Sequence, residues 1–326
     1  MRRRNFFKLL GSAAVAWPFA GHTQQLDNHR IGYLGVSASA RQGTRFDAFR
    51  AGLAALGYVE GKNIVIEQRW LGNRPYDQLD NLARQLVDLK VDVIVTHATP
   101  GVLAAKRATT TIPIVVAAVG DAVETGLVSS LARPGGNVTG TTFFNPELSA
   151  KRTELLKEAI PGLVKAGILF NPANPSNGPV LAAVNTMAQS LKLELVEFPV
   201  REPTDLNGAF ASMAEKSVGA FVITEDPMLI YNVSTSATIG LQHRLAGCGF
   251  PEFARAGGFV GYGVDFPELW RHAATFVDKI LKGTRPANIP VEQPTKFQTI
   301  VNLKTAKTIG VEVATSLLLR ADEVIE

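Results

Sequence analysis

From about residue 27 onward, two rhythms alternate along the chain. Short, nearly continuous apolar runs are separated by longer stretches whose apolar residues recur every three or four positions. Residues 30–36 (RIGYLGV) form the first β-rich run. Residues 43–57 (GTRFDAFRAGLAALG) put Phe46, Phe49, Leu53 and Leu56 on one helical face and stop at Gly57. The spacing then predicts a strand over 63–70, a helix over 76–90, a strand over 91–97 (VDVIVTH), a helix near 100–108 and a strand over 112–119 (IPIVVAAV). After Phe143 the rhythm resumes. Helices over 148–160, 178–191, 205–216 and 230–245 alternate with strands over 165–171, 193–200, 218–224 and about 248–252, and a further strand falls within 257–263. Unbroken apolar strands flanked by helices imply a mostly parallel sheet covered on both faces, an α/β fold. Two units of similar build result, roughly 27–143 and 144–263, without close sequence repetition. A helix over 267–283, a Pro-rich extended stretch over 285–303, a short helix at 304–308 and a tail complete the chain. Its 326 residues suit two domains or lobes.

The first 23 residues have another character. Arg3-Arg4-Asn5-Phe6-Phe7-Lys8 follows the order of a twin-arginine export signal, and the apolar run from Leu9 to Ala20 is shorter than the about 20 residues a membrane-spanning helix needs. A cleaved Tat-type signal peptide over 1–23 is expected, and with it a periplasmic mature protein. The single cysteine, Cys248, lies deep in the chain, so there is no lipobox cysteine, no lipoprotein is expected and no disulfide can form within one chain. The signal also accounts for the apparent pI of 9.2. It carries Arg2, Arg3, Arg4 and Lys8 and no acid; the 33 Lys+Arg less those four equal the 29 Asp+Glu. Without a basic cluster after residue 23, nucleic acid is not an expected partner.

Open α/β sheets bind ligands at the carboxyl ends of their strands, so those ends are where site chemistry is expected. No G-x-G-x-x-G follows the first strand, and Walker A, H-E-x-x-H, C-x-x-C and G-x-S-x-G are all missing from the sequence. The five histidines have no metal-ligand spacing. Neither a catalytic set, a metal site nor a cofactor is expected. The strand ends carry hydroxyl, amide and acidic residues instead: Ser37 and Ser39; Thr96, His97 and Thr99; Asp121; Asn145; Asn171 and Asn174; Asp226; Tyr262 and Asp265. Such groups converging from two units suit ligand binding. For each Ser, Thr or Asn, helix capping or turn formation is the competing role. Asp121, Glu225, Asp226 and Asp265 are candidates to neutralise an amino group, the 96–99 loop to hold a carboxylate at a helix N-terminus, and Phe143, Phe144 and Tyr262 to pack on an apolar side chain.

Four stretches carry a resemblance. AGLAALGYVEGKNIVIEQRW (51–70), LARPGGNVTG (131–140), VDKILKGTRPANIPVEQPTKFQTIVNLKTAK (277–307) and LLLRADEVIE (317–326) resemble bacterial ABC-transporter substrate-binding proteins, the family that includes tryptophan- and aromatic-amino-acid-binding members. The resemblance implies a type I periplasmic-binding-protein fold: two α/β lobes joined by three crossovers, with the ligand cleft between them. Mapped here, the N-terminal lobe comprises 27–143 plus 264–290, and the C-terminal lobe 144–263 plus 291–326. It also implies a monomer that binds a small molecule, an amino acid or similar zwitterion, by hinge closure and delivers it to an inner-membrane ABC permease. Two departures fall in loops expected to face the cleft: His97-Ala98 where many relatives have Gly-Gly, and Gly261-Tyr262-Gly263 where many have Ser-Tyr-Gly. The alternatives are an exported α/β enzyme, which needs a nucleophile–base set, and the ligand-sensing domain of a transcription regulator, which needs an N-terminal helix-turn-helix.

Overall fold

The computed structural model describes residues 28–37 and 43–326; the expected signal peptide and Ser39 lie outside the described residues. Two sheets organise the chain. The first holds five parallel strands in the order β2-β1-β3-β4-β5, with β1 His29–Gly35, β2 Ile64–Trp70, β3 Val93–Thr96, β4 Ile114–Gly120 and β5 Val138–Phe143. The second has the order β12-β11-β10-β9-β8-β6-β7, with β6 Lys165–Phe170, β7 Glu194–Pro199, β8 Ala220–Ile223, β9 Ala246–Gly249, β10 Val260–Gly263, β11 Gln298–Asn302 and β12 Glu323–Ile325. Its strands β7-β6-β8-β9-β10 repeat the order of the first sheet and are likewise parallel, while β11 joins antiparallel to β10.

Helices α1 Gly43–Ala55, α2 Leu79–Asp88 and α3 Ala98–Ala108 connect the first sheet. The late helix α10 Phe266–Leu281 returns to it, packing on α1 and β4. Its buried positions Phe266, Leu269, Trp270, Ala273, Phe276, Val277 and Ile280 recur at three and four, so one face enters the core. Around the second sheet lie α4 Asn145–Ala159, α5 Asn177–Ser190, α6 Asp205–Glu215, α7 Pro227–Tyr231, α8 Val233–Gln242, α9 Pro251–Arg255, α11 Leu303–Ile309 and α12 Thr315–Leu318.

Several elements differ from the sequence expectation, among them α12 and β12, which lie where only a tail was expected. β5 was not expected as a strand at all: VTGTTF has β-branched residues but no long apolar run. It needs Gly140, whose φ is +134° and whose Cβ would sit 2.1 Å from the Val116 carbonyl oxygen, beside a register shift in β4. The expected helix over 230–245 is two helices, α7 and α8, meeting at Asn232. The expected strand near 248–252 ends at Gly249, because Pro251 occupies the first turn of α9.

The chain passes between the sheets after β5, after β10 and before β11. Val291 still packs in the first core, and Glu292 exchanges backbone hydrogen bonds with Gly140 and Thr142, so the first lobe extends slightly past residue 290. One aromatic comes from each passage. Phe144 and Tyr262 both pack on Phe297, each with centroids 6.2 Å away, and so tie the three crossovers together.

Candidate functional site

In each sheet the strand order reverses direction at one point, between β1 and β3 in the first and between β6 and β8 in the second. Connections leave such a point on opposite faces and open a crevice at the carboxyl ends. The two crevices face one another and enclose a cavity of about 440 Å³. The first lobe contributes Ser37 after β1, Thr44 and Arg45 at the start of α1, His97 and Thr99 at the β3–α3 junction, and Phe266 and Trp270 from α10. From the second lobe come Asn145, Asn174, Ser176, Glu225, Ile230, Ser234 and Glu252. Gly120 leaves the room for Asn145, since a Cβ there would lie 2.9 Å from the Asn145 Cβ.

Two ion pairs frame the cavity. Arg45 reaches across the cleft to Glu252 Oε1 at 3.1 Å, with its guanidinium 4.6 Å from the Phe266 ring centroid and 5.4 Å from that of Trp270. The other Glu252 oxygen, Oε2, is buried without a hydrogen-bond partner, and so is Thr99 Oγ1. Beneath the second lobe's wall, Arg152 is fully buried and grips Glu225 with both terminal nitrogens, while its Nε donates to the Tyr262 carbonyl at 2.8 Å. Each charge is thereby matched within the protein, and the cavity stays close to neutral. His97 is neutral as well. Its Nε2 accepts the Val36 amide at 3.2 Å, and burial, then the Arg45 charge, push its pKa down to about 3.

The expected site residues divide into those at the cavity and those elsewhere. Ser37, His97, Thr99, Asn145 and Asn174 line it. Thr96 does not; its hydroxyl donates to the Leu34 carbonyl at 2.9 Å and ties β3 to β1. Asp121 sits in a turn with φ +30°, its Oδ1 accepting the Val123 and Glu124 amides. Asp265 caps α10 through the Glu268 amide at 3.1 Å. Tyr262 stacks on Phe297 at the crossovers. Asp226 is wholly buried behind the lining, held by Asn171 and Asn174, and Asn171 faces a neighbouring cavity. Five of these six residues, all but Tyr262, spend polar groups on caps, turns and strand ties, the competing roles open to such residue types.

Among the described residues no group of His, Cys, Asp and Glu could hold a metal ion, and no helix is long and apolar enough to cross a membrane. Cys248 is buried in β9, and burial pushes its thiol up to about 12, which keeps it protonated and unreactive.

Residues 36–325 match the model of the ABC transporter substrate binding protein family. The chain belongs to that family. Family members are solute-binding proteins that serve ABC permeases, and this chain is accordingly a substrate-binding protein for a small ligand. It is 27% identical over 299 residues to a tyrosine-binding protein of Clostridioides difficile, covering 90% of this chain and 85% of that one. A Vibrio cholerae conserved domain protein of solved structure is 27% identical with a TM-score of 0.84, covering 91% of this chain and 99% of that one. An L-Trp complex of an ABC domain from Streptococcus pneumoniae is 24% identical, also with a TM-score of 0.84, over 91% of this chain and all of that one. Both superpositions share the two-sheet α/β fold.

Sequence reasoning missed Thr44, Arg45, Ser234, Glu252, Phe266 and Trp270 as cavity residues. All lie in or near the first turns of helices, which follow β-strands except for α8, the helix of Ser234, which follows α7. Pro251 and Pro267 each mark such a helix start, and this signal was available for Glu252, Phe266 and Trp270.

Proposed function

We propose that the chain is an exported, periplasmic receptor for an amino acid with a large apolar or aromatic side chain, carried out of the cytoplasm by residues 1–23 and cleaved there. It works as a monomer without catalysis. It closes on its ligand and presents the closed form to an inner-membrane ABC permease. One observation carries the ligand class: a buried hydroxyl and a buried carboxylate oxygen, both unpartnered, in one cavity that Phe143, Ile230, Phe266 and Trp270 also line. The ligand carboxylate meets Thr99 Oγ1 and the amides opening α3, where the helix dipole favours an anion. The ammonium meets Glu252 Oε2, whose Oε1 is already held by Arg45. Phe143, Ile230, Phe266 and Trp270 offer the apolar surface for the side chain. The names of two relatives, a tyrosine-binding protein and an L-Trp complex, support the same class. Because the ligand touches both lobes, its affinity is greater for the closed state, and that difference drives closure.

A thermal-shift screen of the mature protein against amino acids, sugars, nucleosides, peptides and aromatic acids tests this. A ligand at 100 times its dissociation constant adds about 2.7 kcal/mol and raises Tm by a few degrees. Aromatic L-amino acids are expected to be the hits, with their mass unchanged after incubation. A sugar or nucleoside as the sole hit contradicts the ligand class, and a chemically altered hit contradicts binding without turnover.

A further inference from the structure

A second contact crosses the cleft outside the ligand cavity. Tyr76 lies just before α2 in the first lobe, and its hydroxyl stands 2.9 and 3.1 Å from the two carboxylate oxygens of Asp226 in the second. Asp226 is wholly buried and accepts three further hydrogen bonds, all from its own lobe: Asn171 Nδ2 at 3.3 Å, Asn174 Nδ2 at 3.0 Å and the Met228 amide at 2.9 Å. Three donors therefore stay in place when the lobes part, and only the Tyr76 hydroxyl leaves. Neither Tyr76 nor Asp226 lines the ligand cavity. Tyr76 instead faces a second cavity of similar volume on the far side of the contact, and Asn174 joins the two by lining the first while donating to Asp226.

We propose that Tyr76 is a positioning residue for ligand retention: its cross-lobe hydrogen bond to Asp226 latches the closed state and sets the closed-to-open ratio without touching the ligand. Chemistry and placement both support this. The bond is charge-assisted, since a phenol donates to a carboxylate. Burial raises the Tyr76 phenol well above its ordinary value, so it stays a donor across the working pH range. Burial also raises Asp226, and among the hydrogen bonds that offset this, that of Tyr76 is the largest. The Arg45–Glu252 bridge also crosses the cleft, but it lines the ligand cavity and cannot report on closure independently of binding.

Tyr58 supplies an internal control. Its hydroxyl donates to Asp278 Oδ1 at 3.0 Å, a bond of the same chemistry held entirely within the first lobe. The experiment compares wild type, Tyr76→Phe, Asp226→Asn and Tyr58→Phe, each labelled with a donor and an acceptor dye on opposite lobes at Lys62→Cys and Glu215→Cys. Closure is read by energy transfer in rising sucrose without ligand, because excluded osmolytes favour the state that buries more surface. In a second arm L-tyrosine is the probe, and its association and dissociation rates are followed. Tyr76→Phe should lower the closed-to-open ratio about 10-fold and speed L-tyrosine dissociation by a similar factor, leaving the on-rate nearly unchanged. Asp226→Asn should move both readouts in the same direction. Tyr58→Phe should lower Tm yet leave closure and dissociation at wild-type values. Only the second arm rests on the amino-acid assignment. If L-tyrosine does not bind the wild type, that assignment fails and the sucrose arm alone decides the latch. Identical sucrose curves for wild type and Tyr76→Phe, flat or sloping, overturn it.

Discussion

Arg152→Met is expected to lower the stability of the second lobe by about 3–5 kcal/mol, read from urea unfolding of the ligand-free protein. Both partners of the Arg152–Glu225 pair are essentially excluded from solvent. Removing the guanidinium leaves the Glu225 carboxylate buried without its counter-charge, and leaves the Tyr262 carbonyl without its side-chain donors. An uncompensated buried charge is what makes such truncations costly, since the pair as a whole is worth far less than either loss suggests. The double variant Arg152→Met/Glu225→Leu should accordingly recover most of the stability. If the single variant loses less than about 1 kcal/mol, Glu225 is not buried in solution as it is here.

The second large effect depends on pH. In the folded protein His97 takes up a proton only near pH 3, whereas an unfolded histidine does so near 6.5. The unfolded chain therefore binds more protons between those values, and stability falls as pH drops through that window. Above about pH 7 His97 contributes no pH dependence. At pH 4 its share of the loss is on the order of 3 kcal/mol, from about 1.36 kcal/mol per pH unit. His97→Gln keeps an acceptor for the Val36 amide and cannot titrate. Its urea midpoint should fall less than that of the wild type between pH 7 and pH 4. Parallel losses in the two proteins would mean that His97 is accessible to protons in the folded state.

Much of the fold was legible because its strands are buried on both faces. VIVT of β3 and IVVAAVG of β4 are continuous apolar runs that need no partner to be recognised. β5 was not, because Thr139, Thr141 and Thr142 read as polar until the first sheet covers them; Thr142 spends its hydroxyl on the Ala122 amide and the Val119 carbonyl. The site was legible by the same logic. Residues directly after strands, such as Ser37, His97 and Asn174, are placed by the strand itself. The acids were not, since a carboxylate capping a helix and one awaiting a ligand look alike in sequence. Asp265 caps α10 and Asp121 closes a turn, while Glu252, on the five-residue helix α9, keeps Oε2 buried without a hydrogen-bond partner. Which face α9 turns to the cleft depends on how one lobe closes over the other, through Arg45 in this chain. No local pattern encodes that. The packing of Tyr262 was hidden for a related reason: its partner Phe297 arrives from the third crossover, far along the chain.

Calorimetric titration of the mature protein with L-tyrosine and two truncated analogues tests the central claim most directly. The analogues are tyramine, which lacks the carboxylate, and 3-(4-hydroxyphenyl)propionate, which lacks the ammonium group. One L-tyrosine is expected per chain, with Trp270 emission changing because that indole lines the cavity. Each analogue should bind about 10- to 100-fold more weakly, since each leaves Thr99 Oγ1 or Glu252 Oε2 buried and unpartnered. Glu252→Gln should bring the affinity for L-tyrosine toward that of the propionate. Analogues that bind as tightly as L-tyrosine, or L-tyrosine bound with Trp270 emission unchanged, would contradict recognition of a zwitterion between the two lobes.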